Sequence, residues 1–332
     1  MAFMKYYYKV LFLTIILVLL SACNSGSGQL GITSPTPTFS ISQTTTILPL
    51  HPAKTSTPTP ILVAGTDTTT PTLRFAVIGD YGEGSSAEKD VADLIISWTP
   101  DLIITTGDNN YPDGNAEMID QHIGQYYHAF IFPYQGDYGD GASENRFFPS
   151  LGNHDWITEK AQPYLDYFNL PGNERYYQFS HGPVNFFVLD SDAHEPDGVN
   201  ASSMQADWLK QGLSDSTSAW NIVYFHHPPY SSGLHGSTTW MRWPFKEWGV
   251  DLVLSGHDHA YERLQVNDLT YIVNGLGGAS IYDFILPLPG SLVRYNQDYG
   301  AILIDASSEK LHLQFINRSG VVIDDAIMTT IP

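Results

Sequence analysis

Five short polar motifs, each of which follows an apolar run, constrain this chain more than any other feature. Runs of this length predict buried strands, and ligands in open α/β sheets bind where the strands end. Asp, Asn, His and Tyr all occur as metal ligands, so the motifs together predict one metal site. They are Gly79-Asp80-Tyr81-Gly82, Gly107-Asp108-Asn109-Asn110-Tyr111, Gly152-Asn153-His154-Asp155, Val223-Tyr224-Phe225-His226 and Gly256-His257-Asp258-His259.

The spacing inside the motifs supports a shared site. A glycine precedes the ligand-type residue in four of them, which permits a sharp turn at the strand end. His257 and His259 are two residues apart, so an extended backbone points both rings to one side. The side chains of His226 and His227 should diverge, so one of this pair joins the cluster, and periodicity alone does not decide which.

The ligand types indicate the chemistry. Asp and neutral imidazole are ordinary ligands for Fe, Zn and Mn, whereas a phenolate such as that of Tyr111 favours a hard trivalent ion. A pair of ions about 3.5–4 Å apart polarises a phosphate ester, generates hydroxide near neutral pH and stabilises both oxygens of an in-line displacement. Asp108 is the natural bridging carboxylate between the two ions. The predicted activity is phosphate ester hydrolysis.

The apolar pattern predicts an α/β (α+β) fold with two packed mixed β-sheets flanked by helices. A β-α-β unit comes first, with strands at Leu73–Ile78 and Leu102–Thr106 around a helix at Ser86–Trp98. Further helices are predicted at Ala116–Phe130, Ser203–Leu213 and Thr238–Trp248. Further strands are predicted at Phe147–Leu151, Tyr176–Phe179, Val184–Leu189, Ile222–Phe225, Leu252–Leu254, Leu269–Val273, Ala301–Asp305 and Leu311–Ile316.

The N-terminal residues 1–22 read as a lipoprotein signal peptide. Lys5 and Lys9 precede an apolar stretch of 11 residues, Val10 to Leu20, which is short for a membrane-spanning helix. The following Leu20-Ser21-Ala22-Cys23 resembles the bacterial lipobox, and Cys23 is the only cysteine of the chain. We expect an extracytoplasmic protein that is anchored to a bacterial membrane through a lipid on Cys23. The alternative is an ordinary secretory signal or anchor helix with an incidental cysteine.

Residues 23–72 are predicted to be a disordered linker, and the catalytic domain to span residues 73–332. Residues 24–72 contain 14 Thr, 7 Pro and 6 Ser but no Trp or Tyr. Such a segment buries too little apolar surface to offset the entropy lost on ordering.

After residue 22 the chain has 13 basic and 35 acidic residues, a formal net charge of −22. This charge argues against nucleic acid as a partner but leaves small phosphorylated substrates open, because bound cations dominate the local field.

Taken in order, the five motifs resemble those of the purple acid phosphatases, within the calcineurin-like metallophosphoesterase superfamily. The resemblance runs from about Leu73 to Ile316 and is closest over residues 256–263, GHDHAYER. It implies a four-layer sandwich and a dinuclear centre of ferric iron plus a divalent Fe, Zn or Mn. The implied ferric ligands are Asp80, Asp108, Tyr111 and His259, and the implied divalent ligands are Asp108, Asn153, His226 and His257.

Two further histidines are implied to be catalytic. His154 follows Asn153, as the phosphate-contacting histidine of the family does, and His235 lies on a loop where small family members place a second histidine. Imidazoles there hold the phosphate and protonate the leaving alkoxide, which contributes about 10²–10⁴ in rate. The remaining histidines are expected to be linker, surface or core residues: His51, His122, His128, His181, His194, His227 and His312.

Two other groups are interpreted as structural. The helical spacing of Trp240, Trp243 and Trp248 favours core packing over a substrate pocket. The acidic loop that contains Asp192, Glu195 and Asp197 is expected to be solvated.

Three functions fit this sequence. The first is a phosphomonoesterase in which a metal-bound hydroxide attacks phosphorus directly, without a phospho-enzyme. The second keeps the fold but hydrolyses phosphodiesters or nucleotides with Mn or Zn in both positions. The third is a lipoprotein that binds phosphorylated glycans or a partner without turnover, and the intact ligand set argues against it.

Overall fold

The computed structural model describes residues 73–330. The predicted signal peptide, the lipid attachment at Cys23 and the linker lie outside the described residues and stay predictions. Within residues 73–330, no helix is long and apolar enough to cross a membrane.

Two mixed β-sheets form the framework. The first sheet has six strands in the order β13-β12-β11-β1-β2-β3, and the second has seven in the order β10-β8-β9-β7-β6-β5-β4. The strands are β1 Leu73–Ile78, β2 Leu102–Thr105, β3 Phe147–Pro149, β4 Tyr177–His181, β5 Val184–Val188, β6 Trp220–Tyr224, β7 Leu252–Ser255, β8 Tyr261–Val266, β9 Leu269–Asn274, β10 Ser291–Tyr295, β11 Gly300–Ala306, β12 Lys310–Asn317 and β13 Val322–Thr329.

Helices cover the two sheets. The helix Ser86–Ser97 is capped by Ser85, whose hydroxyl accepts the Glu88 N–H, and it buries Val91 and Ile95. The helix Met204–Asp215 is capped in the same way by Ser203 and buries Leu209 and Leu213 against the second sheet. The other α-helical segments are Gln125–Tyr127, Asn153–Ile157 and Gln162–Tyr167; Asp120–Gly124 is a π-helical turn, and His128–Phe130, Glu159–Ala161 and Thr239–Met241 are 3₁₀ turns.

The two sheets pack face to face over one buried core. Phe75 of β1 meets Phe186 of β5 edge-on at 5.2 Å between ring centroids, and both side chains are fully buried. Aromatic rings in such a core bury large apolar areas and favour this edge-to-face contact. The predicted fold class, two mixed sheets flanked by helices, is confirmed.

The parallel strands bring the motifs to common edges. β1, β2 and β3 run parallel in the first sheet, and β5, β6 and β7 run parallel in the second. Because parallel strands end at the same edge, the motifs after β1, β2 and β3 lie together, as do those after β6 and β7. The two edges meet at the candidate site described below.

The predicted helix at Thr238–Trp248 is wrong. Only the 3₁₀ turn Thr239–Met241 is helical there, and irregular backbone follows. Pro244 disfavours helical backbone at the preceding residue, and Trp243 and Phe245 are buried in the cluster on the outer face of the second sheet. The predicted helix at Ala116–Phe130 is instead a succession of π, α and 3₁₀ turns between Asp120 and Phe130.

Candidate active site

The site residues follow the ends of five strands. Asp80, Asp108 and His257 have φ angles of 55°, 51° and 69°, a left-handed conformation that is rare for residues with a side chain. Backbone strain of this kind is concentrated at functional sites. Close packing also explains why residue 152 is a glycine, because a Cβ atom there would lie 2.2 Å from Oδ1 of Asp108.

Four side chains converge at one end of the site. The Tyr111 hydroxyl lies 3.2 Å from Oδ1 of Asp80, 3.1 Å from Oδ2 of Asp108 and 3.1 Å from Nε2 of His259. Nε2 of His259 is 3.3 Å from Oδ1 of Asp80. All four side chains are buried. The four residues that resemblance assigned to a ferric ion therefore share one cluster, which presents three oxygens and one nitrogen.

A second cluster adjoins the first through Asp108. Nε2 of His226 lies 3.0 Å from Oδ1 of Asn153, 3.2 Å from Oδ2 of Asp108 and 3.1 Å from Nδ1 of His257. The same Oδ2 of Asp108 contacts Tyr111 in the first cluster. One carboxylate oxygen is thus common to both clusters.

These spacings fit two metal ions. Ligand atoms at about 2.0–2.2 Å from one ion are separated from each other by about 2.8–3.6 Å, from octahedral to tetrahedral geometry. The contacts above, between 3.0 and 3.3 Å, lie in that range. The ring orientations also fit: Nδ1 of His226 lies 2.9 Å from the Thr106 carbonyl, and Nδ1 of His259 lies 2.6 Å from the Ser280 carbonyl. Donation from each Nδ1–H leaves the Nε2 lone pair directed at the cluster.

The titrating groups of the clusters are strongly perturbed. Burial opposes ionisation of Asp108, but the charges of His226 and His154 and the hydrogen bonds to them lower its pKa below the usual range. Burial lowers the pKa of His226, and the stronger effect of Asp108 raises it to about 10. Burial and then the charges of Asp108 and Asp80 raise the pKa of Tyr111 well above its usual value. Ions held by these side chains would therefore have to displace protons from His226 and Tyr111.

His154 and His235 lie at the rim of the centre. Nδ1 of His154 is 2.5 Å from the Pro112 carbonyl, and its Nε2 is 3.9 Å from Oδ2 of Asp108. The exposed ring of His235 stacks on His257 with centroids 4.4 Å apart. The structure places both histidines beside the clusters and open to solvent, and their catalytic roles stay predictions.

His227 lies closer to the centre than the sequence suggested. One ring nitrogen from each of His226, His227 and His257 lies within 4.8 Å of the other two. The sequence-based expectation assumed alternating side chains, which holds only in extended strands. β6 ends at Tyr224 and the backbone bends at both histidines, so alternation does not apply. The Ser191 hydroxyl, 3.0 Å from Nδ1, also fixes the His227 ring.

Two carboxylates missed by the sequence analysis hold the His235 loop. The carboxylate of Asp258 accepts the Ser231 hydroxyl at 2.5 Å, the His235 N–H at 2.7 Å and the Gly236 N–H at 3.1 Å. Glu262 accepts the N–H and the hydroxyl of Ser232. Both are buried. The backbone bends at His257, Asp258 and His259, and His257 has a φ of 69°. The extended backbone expected for this motif is therefore wrong, and alternation gave no signal for Asp258.

An aromatic ring also covers the centre. Tyr282 stacks on His259 with centroids 4.1 Å apart and planes 5° apart, and it contacts His235 edge-on at 5.3 Å. No motif identified this residue, because it lies in a loop between β9 and β10.

The tryptophans and the acidic loop, which were both interpreted from the sequence, have different outcomes in the structure. Trp243 is buried in the core as expected, whereas Trp240 is 45% exposed with its ring 6.2 Å from that of His227. The expectation of a solvated acidic loop is wrong. Glu195 is buried and paired with Arg175 at 2.8 Å, and the Arg175 guanidinium also contacts Asp197 at 3.2 Å.

Two sheets that bring Asp, Asn, His and Tyr side chains together at their strand ends are the arrangement of a metallophosphoesterase. The chain belongs to the calcineurin-like phosphoesterase family, whose sequence profile matches residues 73–261. It is 24% identical over 305 residues to tartrate-resistant acid phosphatase type 5 of Homo sapiens, covering 76% of this chain and 90% of that one.

Two further relatives are purple acid phosphatases. Purple acid phosphatase 15 of Arabidopsis thaliana is 28% identical over 243 residues, which cover 62% of this chain and 45% of the relative. The structure of purple acid phosphatase PPD1 from yellow lupin (Lupinus luteus) seeds superposes with a TM-score of 0.64 at 19% identity, over 78% of this chain and 54% of that chain. The resemblance drawn from the motifs is confirmed, and the chain is a metal-dependent phosphatase that hydrolyses phosphate esters.

Proposed function

We propose that the chain is a phosphomonoesterase of the purple acid phosphatase type, with ferric iron and a divalent Fe, Zn or Mn. The observation that carries the proposal is the position of the Tyr111 hydroxyl, within 3.2 Å of Asp80, Asp108 and His259. Burial and two neighbouring carboxylates oppose loss of the Tyr111 proton, so only a strongly charged cation favours the phenolate there. A trivalent ion supplies that charge.

Seven side chains hold the two ions in this proposal. Asp80, Asp108, Tyr111 and His259 hold the ferric ion, and Asp108, Asn153, His226 and His257 hold the divalent ion. When bound, the pair supplies Lewis acidity toward the phosphoryl oxygens and acidifies a water molecule.

The residues at the rim complete the hydrolysis. The oxygen of water forms a bond to phosphorus, the bond from phosphorus to the ester oxygen breaks, and that oxygen leaves as an alcohol after it gains a proton. Nε2 of His154, beside Asp108, orients the phosphoryl group. The His235 ring is exposed and stacks on that of His257, which places it to donate the proton to the leaving oxygen.

The test is the colour and metal content of the purified protein. We expect one iron and a second metal per chain and a visible tyrosinate-to-iron absorption band. Tyr111→Phe should lose the band, whereas Tyr230→Phe, a substitution outside both clusters, should retain it. A colourless, iron-free and fully active enzyme would refute the ferric assignment. Faster hydrolysis of diester than of monoester model compounds would favour the phosphodiesterase alternative.

We also propose that the protein is extracytoplasmic and that a lipid on Cys23 anchors it to a bacterial membrane. The supporting features are the basic and apolar segments before Cys23 and the Leu-Ser-Ala-Cys sequence. Labelling of cells with a radioactive fatty acid should mark the wild-type protein, and Cys23→Ala should abolish the label. A labelled Cys23→Ala protein, or an unlabelled wild type, would contradict the anchor.

A further inference from the structure

Three large apolar side chains are exposed on two loops beside the candidate site. Leu234 is 54% exposed, Ile285 is 65% exposed and Leu286 is 72% exposed. We call these three residues the apolar rim. Exposed apolar residues that occur singly need no explanation, but a group of them beside a site marks a binding surface.

The two loops that carry the apolar rim contact the candidate metal centre. Leu234 directly precedes His235, whose ring stacks on His257 at 4.4 Å. Ile285 and Leu286 belong to the loop that begins with Tyr282, whose ring stacks on His259 at 4.1 Å. Each loop therefore touches a proposed metal ligand through one residue and presents apolar side chains nearby.

Hydrogen bonds hold the two loops together. The Ile285 N–H donates to the Ser232 carbonyl at 2.9 Å, and the Leu288 N–H donates to the Ser232 hydroxyl at 2.9 Å. Glu262 accepts from Ser232 in turn, at 2.7 Å from its N–H. The two loops are thus joined through Ser232, which the buried Glu262 carboxylate holds in place.

The charges of the two loops restrict which leaving groups of the substrate can bind there. Residues 231–237 and 281–290 contain no Lys or Arg, and their only acidic residue is Asp283. A leaving group with further phosphates or carboxylates would find no cation on these two loops; Arg294, which follows them on β10, donates to the Ser291 hydroxyl, and the formal net charge of the whole chain is −20. An apolar alcohol suits these loops, because it gains free energy by covering the rim.

We propose that the site acts on phosphate monoesters of apolar, long-chain alcohols, whose alkyl chain lies on the apolar rim. This inference rests on the proposed function. Water and the alkyl phosphate give the alcohol and inorganic phosphate: the water oxygen bonds to phosphorus, the bond from phosphorus to the alkyl oxygen breaks, and a proton passes to the departing oxygen. No oxidant or further reactant is needed.

The test is kcat/KM for a series of n-alkyl phosphates from ethyl to octyl, kept below their micelle concentrations, with the metal-loaded enzyme. Burial of one CH₂ contributes about 0.8 kcal/mol, which is about fourfold in kcat/KM. Because a rim covers only one side of the chain, we expect a rise of about twofold per CH₂. The triple variant Leu234→Ser, Ile285→Ser, Leu286→Ser should flatten the series while kcat/KM for ethyl phosphate stays within about twofold of wild type.

The control is Ile327→Ser on β13, which is 60% exposed and belongs to the first sheet, away from the two loops; it should leave the chain-length dependence unchanged. Equal kcat/KM for all chain lengths in an active enzyme would overturn the inference alone. Suppose that kcat/KM is equal for all chain lengths and that the protein binds neutral phosphatidylcholine vesicles only when the apolar rim is intact. The alkyl phosphate inference would then be overturned, and the rim would be a surface that docks on a lipid bilayer. No hydrolysis of any ester would overturn the proposed function, and this inference with it.

Discussion

The two clusters of the metal centre and the loops at its rim are built by different means. Strand ends hold the clusters directly, through left-handed backbone at Asp80, Asp108 and His257. Hydrogen bonds donated to the carboxylates of Asp258 and Glu262 hold the rim loops instead. Rigid elements position reacting groups accurately, while loops tolerate change. In the proposals above, the sheet edges would hold the metal ions, and the loops would carry His235 and the apolar rim.

Substitution of the shared carboxylate should produce the largest effect. Asp108→Ala removes the oxygen that both clusters share, so we expect loss of both ions and a fall in kcat of about 10³-fold or more. Metal analysis and phosphatase assays measure the two effects together. The control is Asp93→Ala, which is exposed on the helix Ser86–Ser97 and should have no effect. Retention of both ions by Asp108→Ala would contradict a shared ligand.

Removal of a rim imidazole should have the next largest effect. His154→Ala keeps the ligand set, so the metal content should stay constant while kcat falls by about 10²–10⁴-fold. His128→Ala is the matched control, because that ring bonds the Gly124 carbonyl away from the site. An unchanged kcat for His154→Ala would remove this histidine from the mechanism.

Substitution of Asp258 is the clearest test of the difference between the metal clusters and the rim loops. Asp258 lies between two proposed metal ligands in the sequence, but its carboxylate holds the loop of His235. Asp258→Ala should retain both ions and lower kcat by about 10-fold, since His235 loses its fixed position. Asp258→Asn keeps one acceptor oxygen and should recover part of the loss. Loss of metal from Asp258→Ala would instead make Asp258 part of the metal centre.

The smallest effect concerns stability and not catalysis. Burial raises the pKa of Glu88 to about 9, and its Oε1 has no hydrogen-bond partner among the described residues. Because the folded pKa lies above the unfolded value, the protonated carboxyl stabilises the fold fully below about pH 4.5, and this contribution is lost as the pH rises through about 9.

Glu88→Gln should therefore flatten the dependence of unfolding free energy on pH. Relative to wild type, the variant should gain about 1–3 kcal/mol between pH 5 and pH 9. Denaturant unfolding at several pH values measures this difference. Glu83→Gln, at a neighbouring exposed position, is the control. A parallel pH dependence for Glu88→Gln and wild type would show that Glu88 ionises normally in the fold.

The strand-end residues were predictable from the sequence, whereas the loops were not. Asp80 and Asp108 follow short apolar runs and glycines, so local pattern and parallel topology suffice to bring them together. The position of His227 was not predicted because the backbone bends after β6. The position of Tyr282 was not predicted because its stacking on His259 depends on a loop conformation that no sequence periodicity indicates. The helix predicted at Thr238–Trp248 failed because apolar packing outweighed a helical spacing interrupted by Pro244.

The most direct test is anomalous diffraction from crystals of the metal-loaded protein. We expect two anomalous peaks about 3.5–4 Å apart, one on each side of the Asp108 carboxylate, with Tyr111 beside the iron. A single peak, or two peaks that do not share Asp108, would contradict the dinuclear centre.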